Sequence, residues 1–155
     1  VGGEIAPGDA APDFRAVDND TKPAGLAECR GKICVILSVP SLDTPVCEIE
    51  TKRFNQEAAA LGPDVKILVV SMDLPFAQKR WCAAAGVSTL KTVSDHREAS
   101  FGTAYGVLIK ELRLLARAVF VIDREGVVRY TEIVKEIGME PDYEGVLKAI
   151  RGLLD

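Results

Sequence analysis

Apolar positions fall into runs and stripes whose period changes along the chain. Residues 33–39 (I-C-V-I-L-S-V) are almost continuously apolar over the length of a strand. Such a run fits a strand buried on both faces, as in a parallel sheet. Residues 65–71 (V-K-I-L-V-V-S) form a second run of this kind. Between them the period lengthens. Thr44 followed by Pro45 is a helix-start pattern, with a hydroxyl at the N-cap and proline at the first helical position. Val46, Ile49, Phe54, Ala58 and Leu61 then recur at roughly helical spacing, and Gly62-Pro63 stops the helix. Pro75 opens a second helix, through Phe76, Lys79, Arg80 and Cys82, that ends near Gly86.

The remainder is less uniform. Residues 1–31 are rich in Gly, Pro, Asp and Asn and predict loops with a short hairpin. Residues 87–116 give no clear period, apart from a short helix expected over 98–105 and ended by Gly106. Residues 118–122 predict a strand, Asp123-Arg124-Glu125-Gly126 a turn, and 127–131 the returning antiparallel strand. Pro141 precedes a final amphipathic helix carrying Tyr143, Val146, Leu147, Ile150 and Leu154. The order β-α-β-α, then β-β-α, is the plan of a thioredoxin-like α/β domain. A central mixed β-sheet with helices on both faces is expected.

Length and charge narrow the class. At 155 residues the chain suits one domain, so residues 1–155 are expected to fold as a unit. Hydrophobic residues at 48% and charged residues at 27% are ordinary for a globular protein. No apolar stretch approaches the ~18 residues that a membrane helix needs. A net charge of −4 with no basic run argues against nucleic-acid binding, because phosphate neutralisation needs clustered Lys and Arg. The opening V-G-G-E-I-A-P-G does not read as a signal peptide, and a cytoplasmic protein with reduced thiols is the expectation.

Cys47 is the sharpest chemical feature. It follows Thr44 by three residues, in the first turn of a helix directly beyond a buried strand. Unpaired backbone N–H groups and the helix dipole favour negative charge there, so the position suits a thiolate. A buried packing cysteine at a helix start is the bland alternative. Cys82 lies about two turns into the next helix, where a small packing residue is the default. Cys34, inside the first strand, reads as an inert hydrophobe. Cys29 precedes it in a loop region and is open to exposure. Zinc would need four ligands, and C-x4-C with the single His96 does not supply them. Trp81 reads as a packing residue, and His96 as a structural or surface histidine rather than a general base.

Pro40, Thr44 and Cys47 together spell P-x-x-x-T-x-x-C, which resembles the active-site motif of the peroxiredoxins. The longer stretches P-S-L-D-T-P-V-C, D-L-P-F-A-Q-K-R-W-C, S-D-H-R-E-A-S-F-G, L-A-R-A-V-F-V-I-D and E-P-D-Y-E resemble the bacterial thiol peroxidase subfamily over nearly the whole chain. The resemblance implies a mechanism. Cys47 would attack peroxide and become a sulfenic acid. The Thr44 hydroxyl would bond the thiolate or the peroxide, Pro40 would exclude water, and Arg117 would stabilise the thiolate and orient the peroxide. Cys82 would resolve the sulfenic acid as an intramolecular disulfide, which thioredoxin would reduce. Hydrogen peroxide and organic hydroperoxides are the implied substrates, a homodimer the implied assembly, and no metal or other cofactor is called for. Without the resemblance, Arg117 would read as a surface arginine at a strand start.

Other readings use the same residues. Cys47 to Arg53 spells C-x5-R, the loop pattern of cysteine phosphatases. The intervening E-I-E-T-K has no glycine, and Glu48 and Glu50 would repel phosphate. A thioredoxin-type oxidoreductase would need C-x-x-C, which is absent. A redox sensor or relay, passing its disulfide to partner proteins, would use the same cysteines without steady peroxide turnover.

Overall fold

The apolar run after Lys32 becomes strand β3 (Ile33–Ser38) at the middle of the sheet, with every residue buried. In the computed structural model, residues 5–87, 90–134 and 139–154 are described, save the side chains of Ala58 and Ala59. The strands are β1 (Ala16–Val17), β2 (Pro23–Ala24), β3, β4 (Val65–Ser71), β5 (Lys91–Ser94), β6 (Leu108–Ile109), β7 (Leu114–Leu115), β8 (Ala118–Ile122) and β9 (Val128–Ile133). The helices are α1 (Pro45–Leu61), α2 (Pro75–Ala85), α3 (Ser100–Ala104) and α4 (Tyr143–Leu154). A short 3-10 helix, Leu26–Cys29, precedes β3.

The main sheet runs β2-β1-β5-β4-β3-β8-β9, and β6-β7 form a separate hairpin. β3 pairs parallel with β4, and β4 parallel with β5, as a βαβαβ unit requires. β8 joins β3 from the other side in antiparallel register, so the sheet is mixed. Alternation along β3 sends Ile33, Val35 and Leu37 to one face, where they meet Phe54 of α1, Trp81 of α2 and Val146, Leu147 and Ile150 of α4. Cys34 and Ile36 face the opposite side, with Phe14, Phe101 and Tyr105. Helices thus cover both faces, in a thioredoxin-like arrangement.

The expected boundaries hold for β3, β4, β8, α1, α2 and α4 to within a residue or two. The stripe on α1 holds at Phe54, which is buried, whereas Ile49 is 55% exposed and Ala58 lies outside the described side chains. Strand β5, unread from its sequence, occupies a central place between β4 and β1. The expected first hairpin is real but short: Ala16 pairs with Ala24 and Val17 with Pro23.

One buried carboxylate organises the far face. Asp95 accepts backbone N–H bonds from Phe101 at 2.9 Å and Gly102 at 2.8 Å, tying β5 to α3. Burial pushes its carboxyl above the ordinary range, against the pull of those N–H bonds. Replacing it strands two buried donors, each at a cost of ~1–3 kcal/mol. Asp95→Ala should therefore lower unfolding stability by about 2–4 kcal/mol in urea titrations. An unchanged midpoint would show that the two N–H groups find other partners.

Candidate functional site

The site is built where β3 ends and α1 begins. Pro40 is buried just beyond β3, and the chain turns through Ser41–Asp43 into Thr44. Asp73, beyond the end of β4, braces this turn. One of its carboxylate oxygens accepts from the Ser41 hydroxyl at 2.7 Å, and the other from the Leu42 N–H at 2.9 Å. The second oxygen also accepts from the Ser71 hydroxyl at 2.8 Å.

Thr44 is the N-cap of α1 and Pro45 its first helical residue. The Thr44 side chain, however, does not cap the helix. Its hydroxyl donates back to the Ser41 carbonyl at 3.0 Å, closing the turn instead. Among the described residues no hydrogen bond joins the Thr44 hydroxyl to the Cys47 sulfur, so of the two expected partners, thiolate and peroxide, the first is not engaged here.

Cys47 is completely buried, 0% exposed, and its thiol is free. Thr51, one turn on, donates its hydroxyl to the Cys47 carbonyl at 2.7 Å and holds that turn. Arg117, directly before β8, donates from Nη1 to Cys47 Sγ at 3.1 Å. The surface position that its local sequence suggests is wrong: Arg117 is 1% exposed. Val119 and Val121 of β8 pair with Leu37 and Val35 of β3, and this pairing brings the chain before β8 to the end of β3.

Glu50 completes the cluster. It is fully buried and its Oε1 accepts from Arg117 Nη1 at 2.7 Å. Burial raises its carboxyl to about 7, the bond and charge of Arg117 pull it down, and Glu132 and Glu140 add to the rise. Its other oxygen, Oε2, has no hydrogen-bond partner among the described residues. For Arg117, burial disfavours the charge, but Glu50 and Cys47 more than offset it. Sequence reasoning missed this role and weighed Glu50 only as a charge hostile to phosphate. The available signal was spacing: i and i+3 share a helix face, so Cys47 and Glu50 point to the same neighbour.

Cys82 stands apart from this cluster. Its thiol is also free, half-buried on α2, and lies 3.4 Å from the Thr92 hydroxyl of β5. The Thr92 hydroxyl donates to Asn19 at 2.8 Å, and Lys79 of α2 reaches Asp20 at 3.1 Å. The β1–β2 turn thus clasps α2 beside Cys82. Trp81 packs half-buried against the core, as expected, and His96 is half-buried. The remaining cysteines differ from expectation. Cys29 is buried rather than open, and Cys34 is not an inert thiol: the two are joined in a disulfide with Cα atoms 5.5 Å apart. Among the described residues, no cluster of His, Cys, Asp and Glu is arranged to hold a metal.

A buried thiol at a helix N-terminus, bonded to a buried arginine across a thioredoxin-like sheet, is the arrangement to compare with known proteins. The family model described as Redoxin matches residues 6–147. The chain belongs to the redoxin family. This redoxin is 51% identical over 154 residues to a thiol peroxidase of Bacillus subtilis, covering 99% of the chain and 92% of that relative. It is 55% identical over 147 residues to a thiol peroxidase of Oceanobacillus iheyensis, covering 95% and 89%. A peroxiredoxin-like protein from Aquifex aeolicus superposes with a TM-score of 0.92 at 44% identity, covering 99% of this chain and 90% of that one. The redoxin is therefore of the peroxiredoxin type, an oxidoreductase similar to the thiol peroxidases.

The Glu50 carboxyl makes a test of the cluster by pH. Its folded value lies above the unfolded 4.5, at about 7, so the folded chain holds a proton that the unfolded chain has lost. Stability from this group therefore falls as pH rises between those values. Urea midpoints of the wild type should drop across that window. The drop should be shallower in Glu50→Gln, with Asp95 acting alike in both chains. Parallel curves would mean that Glu50 ionises normally in the fold.

Proposed function

We propose that the protein folds as one domain and reduces hydrogen peroxide and organic hydroperoxides with its own thiols, with thioredoxin as the reductant. The observation that carries this reading is the buried contact from Arg117 Nη1 to Cys47 Sγ at 3.1 Å. A peroxide needs a soft anionic nucleophile and fixed donors for the charge that builds on the departing oxygen. Cys47 supplies the first, and Arg117 with the N-terminal turn of α1 supplies the second.

In this scheme the Cys47 thiolate attacks one peroxide oxygen and the O–O bond breaks. The departing hydroxide or alkoxide takes a proton to become water or alcohol, and Cys47 is left as a sulfenic acid. Pro40 and the buried setting limit water at the sulfur. Thr44 turns its hydroxyl from Ser41 toward the incoming peroxide. Cys82 then attacks the sulfenic sulfur, water leaves, and an intramolecular disulfide remains. Two electrons from thioredoxin restore both thiols. No metal or other cofactor takes part.

Exposed apolar side chains in the first turns of α1 and at the start of α2 (Ile49, Leu74 and Phe76, the last 70% exposed) support a homodimer. The free thiols of Cys47 and Cys82 fit a cytoplasmic setting, whereas the Cys29–Cys34 disulfide departs from the fully reduced state expected there. Among the described residues no helix is long and apolar enough to cross a membrane.

The decisive experiment is peroxide consumption coupled to thioredoxin and its reductase, with Cys47→Ser and Cys82→Ser beside the wild type. Cys47→Ser should fall to background while keeping the wild-type circular dichroism. Cys82→Ser should consume about one equivalent of peroxide and stop, a figure set by one sulfenic acid per chain. Full turnover in Cys47→Ser would reject the reading. A single equivalent without turnover in the wild type would favour the sensor or relay.

The scheme also requires movement. Both cysteines sit in regular helices, and their thiols face different partners, Cys47 the Arg117 guanidinium and Cys82 the Thr92 hydroxyl. The second half of α2 is the easier part to unwind. Ala83 and Ala84 are exposed, and Gly86 ends the helix in a left-handed conformation at φ 69°. Peptides spanning Pro75 to Gly86 should exchange amide hydrogens faster in the disulfide form than in the dithiol form. Equal exchange in the two states would place the movement elsewhere.

A further inference from the structure

At the opposite end of β3 from Cys47 the chain carries a second pair of sulfurs that the peroxidase scheme does not use. Cys34 stands at the start of the strand, between Lys66 of β4 and Ile122 of β8. The turn toward Cys47 leaves from the strand's other end, about 13 Å away at ~3.3 Å per residue. Cys29 closes the 3-10 helix, and the Cys29–Cys34 disulfide joins residues five apart in sequence.

The bond closes only a short loop. Closing it removes less chain entropy than closing a long one would. The segment is also held without it. Lys32 N–H donates to the Cys29 carbonyl at 2.9 Å, Leu26 N–H to Asp13 at 3.2 Å, and Glu28 pairs with Lys91 of β5.

Both cysteines line a cavity of about 350 Å³, in the size range of small-molecule sites. Arg30, Lys32 and Arg124 stand on its walls with Asp13, Asp123 and Glu125. Two of the acids are already engaged. Asp123 pairs with Arg129 at 2.8 Å and accepts the N–H groups of Glu125 and Val127. Asp13 accepts from Phe14 and Leu26. Arg124 reaches Asp64 at 3.7 Å. Arg30 and Lys32, one and three residues after Cys29, remain to meet an incoming anion.

We infer that Cys29 and Cys34 form a second thiol–disulfide exchange site, entered through this cavity by a low-molecular-weight thiol that carries a carboxylate. The incoming thiolate attacks Cys29 Sγ, the Cys29–Cys34 bond breaks, and Cys34 leaves as a thiolate that takes a proton. A second thiolate attacks the small molecule's sulfur in the mixed disulfide. It releases the Cys29 thiolate, which is protonated, and a small-molecule disulfide. Two thiols are oxidised and one protein disulfide is reduced. Cys29 is the sulfur attacked because it ends the 3-10 helix at the cavity wall, outside the sheet, whereas Cys34 is fixed by ladders on both sides.

The test uses reduced glutathione as the thiol and the Cys47→Ser/Cys82→Ser chain, followed by intact mass and peptide mapping. The expected result is a glutathione adduct on Cys29, then the dithiol. The rate should rise linearly with glutathione and be unmoved by urea below the unfolding transition. Arg30→Glu/Lys32→Glu should slow it roughly tenfold, as loss of two nearby cations implies. Mercaptoethanol, without a carboxylate, should show no such slowing. Reaction only at the rate of global unfolding, accelerating with urea and independent of glutathione, would overturn the site. So would an adduct on Cys34, or equal slowing of both thiols. Should the double serine variant lose its fold, peptide mapping of the wild-type chain reads the same adduct apart from Cys47 and Cys82.

Discussion

A guanidinium removed from water must be compensated by groups that carry or attract negative charge, since an uncompensated buried charge costs several kcal/mol. Arg117 is in that position, and Glu50 and Cys47 are among its partners. Both lie on one face of α1, one turn apart. The need to compensate a single buried charge therefore docks α1 against the start of β8 in one orientation. It also places the thiol in the first turn of the helix, against the arginine. Glu50 balances the charge when ionised and relieves its own burial when protonated, so the cluster can change its net charge near neutral pH.

Central strands were the most legible part of the chain. β3, β4 and β8 are buried nearly throughout, and a strand covered on both faces has little choice but continuous apolar residues. β5 is equally central yet reads as Lys-Thr-Val-Ser. Its polar side chains are satisfied inside the fold: Lys91 by Glu28 and Asp18, Thr92 by Asn19, Ser94 by the Asp73 carbonyl. Such partners are distant in sequence, so no local pattern announces them. The turn-rich opening of the chain hid a similar role, because its hairpin supplies several of these partners.

The site divides along the same line. Cys47 was legible from its place in a helix, since local geometry alone makes that position favour an anion. Arg117 was legible only through resemblance, because its link to Cys47 runs through β3–β8 pairing and not through neighbours in the chain. Glu50 was visible as a charge but not as a partner. Cys29 and Cys34 were weighed for zinc and for packing, and their spacing was not read as a bonded pair. The Thr44 hydroxyl follows its residue type to the N-cap position but bonds the turn before it.

Asp73 has a consequence of a different kind. Its carboxylate holds Ser41 and Leu42 of the turn before Cys47 together with Ser71 of β4, and it stands two residues before α2 begins. Ser71 in turn accepts from Gln78, one turn into α2. Free energy shared through one carboxylate cannot be divided between the segments it joins. For mutational bookkeeping, the threshold of Cys47 and the root of the helix bearing Cys82 are thus a single locus. A change at one will carry an epistatic signature at the other, even though the two sulfurs are not bonded in this structure.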